Sequence, residues 1–231
     1  MLGGLISYAL LAALATALLF AAVTDLRRRE IDNWLNAGIA LAAPLYWLAA
    51  GLDWVTVLFQ IVLALLTFLV ACALFAMRQM GGGDVKLLTA LALWFVPGSF
   101  VQLVIIMGVI GGAASIAMAV SNMQRLPGES LRDSVSTVVA ALWVLGACAL
   151  AYGTATGQPM IASAAIGTLL PAGWLLALAG IVVLGLFVFG MRHIIQRQRG
   201  AIAIPYGVAI AAAGLWVLVH DALPQRLSDA L

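Results

Sequence analysis

Eight stretches of the sequence are apolar over lengths that reach or approach the thickness of a lipid bilayer. They are Leu2–Val23, Trp34–Gly51, Trp54–Met77, Val85–Val96, Phe100–Ser121, Val135–Tyr152, Pro171–Met191 and Ala203–His220. About 20 helical residues cross a bilayer upright. The pattern therefore predicts an all-α fold, a polytopic membrane helix bundle of about eight transmembrane segments.

Composition excludes a soluble enzyme held by a single anchor, because only 9% of the residues are charged and 65% are hydrophobic, whereas soluble domains carry about 25% charged residues. Val85–Val96 has twelve residues, about 18 Å as a helix. It predicts a short helix after the glycine-rich segment, or half of a pair hinged at Pro97-Gly98. Met160–Leu170 is also apolar but shorter, and it predicts an interfacial or re-entrant segment.

The basic residues are distributed unevenly among the connecting loops. An N-terminus outside places four loops in the cytoplasm, at 24–33, 78–84, 122–134 and 192–202. These loops hold or adjoin ten of the eleven basic residues, namely Arg27, Arg28, Arg29, Arg78, Lys86, Arg125, Arg132, Arg192, Arg197 and Arg199, and only Arg226 falls outside. The positive-inside rule supports this orientation. Because basic residues follow the first apolar run and none precedes it, the run is predicted to be a retained helix and not a cleaved signal peptide.

Gly81-Gly82-Gly83-Asp84 interrupts the apolar sequence at one cytoplasmic loop. A carboxylate in hydrocarbon costs about 2.5–3.5 kcal/mol on insertion scales, so an acid at this depth indicates a functional site. A turn whose Asp caps the next helix explains the same residues about as well. The glycines would also let another backbone approach closely.

A second acid, Asp25, follows the first apolar run at the same predicted depth. Two neighbouring acids disfavour each other's ionisation, so one keeps a proton while the other acts as a base near neutral pH. Such a pair can activate water and protonate a leaving amine. The alternative for Asp25 is a carboxylate at a helix end, paired with Arg29 four residues later.

Three separated motifs resemble the type IV prepilin peptidases, a family of GxGD intramembrane aspartic proteases. Gly81-Gly82-Gly83-Asp84 matches GxGD and Val85-Lys86-Leu87-Leu88 continues it, Asp25-x3-Arg29-x-Ile31-x-Asn33 resembles the first-aspartate motif, and Ile204-Pro205-Tyr206-Gly207 resembles the last helix of the short branch that serves tight-adherence (Flp-type) pili. The resemblance implies that Asp25 and Asp84 are catalytic. The motif or substrate-binding residues would be Gly81, Gly83, Lys86, Arg29, Asn33, Pro205, Tyr206 and Gly207. Snorkelling is the alternative for Lys86, and a proline at a helix start is the alternative for Pro205.

The resemblance implies removal of a short basic leader from prepilins or pseudopilins, at the cytoplasmic face of the bacterial inner membrane. The substrate's apolar helix would remain in the lipid bilayer. Asp32 stands where the family has proline and is kept out of the pair. The long branch's four zinc-binding cysteines are missing, so we expect residues 1–231 to form a single peptidase domain without a methyltransferase domain.

No cofactor, metal or nucleic-acid partner is expected, since Cys72 and Cys148 lie in apolar runs and no CxxC pair occurs. The rival hypotheses are a small transporter or proton channel that uses the same acids, and a structural assembly subunit. Almost purely apolar helix centres favour a site at one membrane face over a channel. Trp34, Trp54 and Trp94 lie near predicted helix ends and are expected to be interfacial anchors. The pilus system, the role of residues 122–200 and the formation of homo-oligomers stay open at this point.

Overall fold

The computed structural model describes residues 2–126, 128–156, 173–200 and 206–222. Within these ranges the chain forms eight α-helices and no β-strand. The helices are α1 Leu2–Arg28, α2 Asn33–Ala49, α3 Trp54–Ala76, α4 Gly82–Ala92, α5 Pro97–Ser121, α6 Ser130–Thr156, α7 Gly173–Gln196 and α8 Tyr206–Val217, and a π-helical turn at Leu218–Ala222 follows α8. The prediction of an all-helical fold is confirmed.

Four of the described helical segments are long and apolar enough to cross a membrane, namely Gly3–Arg28, Trp54–Ala76, Pro97–Ser121 and Ser130–Gly153. Gly180–Gln196 and Tyr206–Asp221 are shorter apolar helices. The chain is thus a multi-pass membrane protein, while the predicted count of about eight crossings is not confirmed. The predicted segment Met160–Leu170 and Arg226 both lie outside the described residues.

The chain divides into two compact units, the first made of Met1–Gly108 and Pro205–Leu231 and the second of Val109–Ile204. In the first unit, α1 packs against α2 and α8, and α4 packs against α2, α3 and α8. Seven of the eleven residues of α4 are buried, and Leu87 and Leu91 are fully inaccessible. The short α4 is therefore enclosed by protein, which explains why it does not need the length of a lipid-facing helix.

Indole groups join α2 to the end of α4. The Trp47 indole N–H donates to the Leu93 carbonyl at 2.8 Å, and the Trp94 indole N–H donates to the Ile39 carbonyl at 2.9 Å. The Trp94 ring also stacks on Tyr46 at a centroid distance of 5.1 Å. Trp94 is only 4% exposed, so the prediction that it anchors the protein at the interface is wrong. Its N–H has a protein partner, and its ring fills the core.

The first helix is longer than its apolar run, since α1 continues through Asp25 to Arg28. Arg27 and Arg28 lie in its last turn, where cations interact favourably with the helix dipole. Arg29 then adopts a left-handed φ of 57° and ends the helix. Asp25 consequently has a rigid helical backbone, although the sequence predicted that it would lie in a loop.

The second unit contains α6 and α7, which pack against each other. A buried hydrogen bond joins them, with Asp133 Oδ1 and His193 Nε2 at 2.7 Å. Arg197 donates to Glu129 at 2.6 Å nearby. Around these contacts Met123, Ala140 and Ile194 form a small apolar core.

Candidate active site

Asp25 projects from the last two turns of α1 and is only 5% exposed. Its Oδ2 accepts the backbone N–H of Val208 at 3.0 Å, and Gly207 lies so close that a Cβ there would be 2.8 Å from Oδ2. Both residues belong to the first turn of α8. Main-chain N–H groups at a helix start carry partial positive charge, so they stabilise an anionic carboxylate.

Asp84 lies in the first turn of α4, before the apolar run 85–96 and outside the four candidate spans. Its Oδ2 accepts the Gly81 N–H at 3.3 Å, so the interpretation of Asp84 as a helix-capping residue is confirmed. This capping role does not account for the shifted pKa of Asp84. Burial, and secondly the negative charge of Asp25, raise the pKa of Asp84 to about 6, although the Gly81 N–H opposes the shift. Asp84 is therefore a carboxyl that holds its proton at pH values where exposed acids are ionised.

Ile31 lies between the start of α4 and the start of α8. A Cβ added at Gly83 would lie 3.2 Å from Ile31 Cβ, and one at Gly207 would lie 2.7 Å from Ile31 Cδ1. The Gly207 position is also 2.8 Å from Asp25 Oδ2. Real Cβ atoms do not approach other atoms as closely as at Gly207, and the 3.2 Å at Gly83 is tighter than most real Cβ contacts, so the missing side chains let α4 and α8 close around one isoleucine.

Two polar contacts attach α4 to the start of α2. Lys86 Nζ donates to Asn33 Oδ1 at 2.7 Å, and Asn36 Nδ2 donates to the Gly83 carbonyl at 3.3 Å. Lys86 and Asn33 are exposed, whereas Asn36 is buried. Lys86 thus has a defined partner from the first motif, which the snorkelling interpretation does not require.

The structure brings together most of the residues singled out in the sequence. Arg29 ends α1, and its backbone N–H donates to the Asp25 carbonyl at 2.8 Å. Tyr206 is the first residue of α8 and is half-buried. Pro205 lies outside the described residues, and Asp32 is the half-buried N-cap of α2, without a capping hydrogen bond from its side chain.

Three contributors to the site were given no role from the sequence, namely Ile31, Asn36 and Val208. Val208 acts through its backbone N–H, which leaves no trace in residue type. The available signal was the adjacent Gly207, because a glycine in the first turn of an otherwise apolar helix indicates a close approach.

A cavity of about 230 Å³ lies between α1 and α2 in the first unit. Small or apolar side chains line it, among them Ala13, Ala17, Gly38, Ala42 and Trp34. Trp34 directly follows Asn33, the partner of Lys86. The cavity can therefore receive apolar side chains close to the first motif.

Among the described residues, no group of three or more His, Cys, Asp and Glu side chains is arranged to hold a metal ion. Cys72 is half-buried and Cys148 is exposed, both as free thiols.

Comparison with known proteins gives one finding. The sequence model of the type IV leader peptidase family matches residues 12–116. The matched segment contains both Asp25 and Asp84 and ends before α6 and α8. Neither the curated proteins nor the solved structures contain a match to this chain.

Proposed function

We propose that the chain is an intramembrane aspartic endopeptidase of the type IV leader peptidase family, whose sequence model matches residues 12–116. The family supports a leader peptidase activity on prepilin-type substrates. In our proposal the enzyme removes the short basic leader of prepilins or pseudopilins at the cytoplasmic face of the bacterial inner membrane. Asp25 and Asp84 form the catalytic pair.

One observation carries the proposal. Two acids that are 59 positions apart in the sequence are both buried in the same unit, and the charge of one raises the pKa of the other. Isolated helix-capping acids would not act on each other in this way. A pair in which one carboxyl is protonated and the other ionised can hydrolyse a peptide bond, because the ionised member takes a proton from water while the protonated member gives one up.

The position of the pair agrees with a substrate that stays partly in the membrane. Asp84 precedes an apolar run, and Asp25 follows one. The basic residues of the adjoining loops favour the cytoplasm for this end of the helices. A prepilin with its apolar helix in the bilayer would present its leader at this depth, and the cavity beside Trp34 would accept apolar side chains of that helix.

Co-expression with a candidate prepilin tests the proposal. The substrate needs a short basic leader that ends in glycine, followed by an apolar helix. We expect wild type to shorten it, and Asp25→Ala and Asp84→Ala to leave it full-length, as judged by gel mobility and by mass spectrometry of the new N-terminus. Asp32→Ala is the matched control, because it removes a neighbouring acid outside the pair and should retain cleavage.

Undiminished cleavage by both alanine variants would contradict the proposal. Loss of cleavage counts as support only if each variant accumulates in the membrane to the wild-type level. A proton channel that used the same acids would instead show proton flux in vesicles and no shortening of the substrate.

A further inference from the structure

The start of α8 holds the carboxylate of Asp25, and this contact distinguishes the two acids. We infer that the main-chain N–H of Val208, brought within reach by Gly207, keeps Asp25 as the charged member of the pair, the base, and leaves Asp84 as the protonated acid. Gly207 and Val208 are thus positioning residues. The inference rests on the proposed peptidase function for its catalytic meaning, while the assignment of charge stands on the contacts themselves.

The two carboxyls differ in their donors. Asp25 accepts the Val208 N–H at 3.0 Å from the start of another helix, and the basic residue Arg29 follows it by four positions. Asp84 accepts a single backbone N–H, at the longer distance of 3.3 Å. Hydrogen bonds to an ionised carboxylate stabilise the ion. The charge therefore belongs on Asp25.

Helix dipoles do not by themselves separate the two acids. Asp84 also lies in the first turn of a helix, its own α4, and Asp25 meets the first turn of α8. What differs is the length of the hydrogen bond, 3.0 Å at Asp25 and 3.3 Å at Asp84, and the basic residue Arg29 four positions after Asp25. The elevated pKa of Asp84 agrees with this division, because the charge of Asp25 contributes to it.

Gly207 allows this contact because it has no side chain. A Cβ there would lie 2.9 Å from Asp25 Cγ and 2.7 Å from Ile31 Cδ1. Any other residue would push α8 away from the carboxylate and lengthen the Val208 hydrogen bond. The φ of Gly207 is not positive, so the requirement is for space and not for backbone freedom.

The assignment defines a balanced reaction. Asp25 takes a proton from water as the water oxygen bonds to the scissile carbonyl carbon, and Asp84 gives its proton to the carbonyl oxygen. The resulting gem-diol returns one hydroxyl proton to Asp84 as the carbonyl re-forms. The C–N bond breaks, the leaving nitrogen takes the proton from Asp25, and both acids regain their starting states.

Val208→Pro tests the inference most directly, because it removes only the N–H that bonds Asp25. Val208 is in the first turn of α8, where its N–H has no partner within the helix and proline is tolerated. Val208→Ala is the matched control, since it trims the side chain and keeps the N–H. With the prepilin-type substrate described above, we expect Val208→Pro to move the acid limb of the kcat/KM profile to higher pH by about one to two pH units. Val208→Ala should leave the limb in place.

Gly207→Ala is the second variant and should lose most activity through the same contact. Gly214→Ala is its control, because it crowds the same helix against the Leu18 side chain, at 3.0 Å, without touching Asp25. Equal losses in the two variants would mean that crowding of α8 alone explains the effect, and this would overturn the role of Gly207.

A measurement without substrate keeps the inference separate from the proposed function. Carboxyl ¹³C resonances of the full-length protein in detergent micelles, assigned with Asp25→Asn and Asp84→Asn, report the protonation of each acid as pH changes. We expect Asp25 to ionise at lower pH than Asp84, and Val208→Pro to narrow the difference. If Asp84 ionised at lower pH than Asp25, the inference would be overturned even if both aspartates were required for cleavage. The same holds if the acid limb of the Val208→Pro kcat/KM profile stayed in place while its alkaline limb moved.

Discussion

Replacing Asp84 by asparagine should stabilise the protein at neutral pH while abolishing its proposed activity. The pKa of Asp84 rises from its ordinary 3.8 to about 6 in the folded state. An acid with a raised folded-state pKa favours folding at pH values below its unfolded-state pKa, and this benefit is lost as pH rises through the folded-state value. The loss therefore occurs between pH 3.8 and about 6.

The expected gain in the free energy of unfolding follows from the width of this pH interval. A difference of about two pH units at about 1.4 kcal/mol each gives about 3 kcal/mol. The asparagine side chain of the variant would not ionise, and its carbonyl oxygen can still accept the Gly81 N–H. We therefore expect Asp84→Asn to gain up to about 3 kcal/mol over wild type above pH 6, and almost nothing below pH 4.

Unfolding in detergent, followed by tryptophan fluorescence on both sides of this window, measures the effect. Asp53→Asn is the control, because hydrogen bonds from Thr56 and Val55 lower the pKa of Asp53. Its charge stabilises the fold at neutral pH, so this variant should show no gain there. An Asp84→Asn gain that is absent at neutral pH, or that is equal at all pH values, would refute the reasoning about burial and the Asp25 charge.

Two further substitutions test the packing of each unit. Gly83→Ala should greatly reduce leader cleavage, because its Cβ would lie 3.2 Å from Ile31 Cβ. Gly82→Ala is the control and should retain activity, because its Cβ would meet only an ordinary contact at 3.5 Å. Equal activities of the two variants would contradict the close-packing argument. His193→Ala should lower the free energy of unfolding by about 1–3 kcal/mol, because it leaves the buried Asp133 carboxyl without its hydrogen-bond partner, and an unchanged denaturant midpoint would show that this hydrogen bond is not stabilising.

The sequence was sufficient to predict the all-helical membrane fold, whereas the burial of Asp25 and Asp84 in one unit is a finding of the structure. Long apolar runs restrict the chain to helices, and the charge asymmetry indicated a common depth for Asp25 and Asp84. The sequence was not sufficient to predict the length of α1 or the environment of Trp94. A helix can continue past its apolar run when its last turn carries arginines, and an indole near a helix end is buried when carbonyls such as that of Ile39 are within reach.

The contacts that define the candidate site were harder to predict, since they depend on backbone atoms and on missing side chains. Every residue except proline has a backbone N–H, so the side-chain types in the sequence give no indication that the N–H of Val208 is a donor to Asp25. A glycine indicates that a neighbouring group can approach the backbone closely, but the sequence does not indicate which group does so. In the first unit Ile31 is such a group at both Gly83 and Gly207.

The two aspartates depend on the rest of the chain to different degrees. Asp84 receives its hydrogen bond from Gly81, three residues earlier, so its cap forms with α4 itself. Asp25 receives its hydrogen bond from Val208, which is 183 positions away, and it lacks this donor until α8 has packed against α1. Changes in α8 should therefore act on the charge of Asp25 before they act on Asp84. The motif at the start of α8 is then needed to stabilise the charge of Asp25, which belongs to the first-aspartate motif. This explains why three distant segments have to meet at one site.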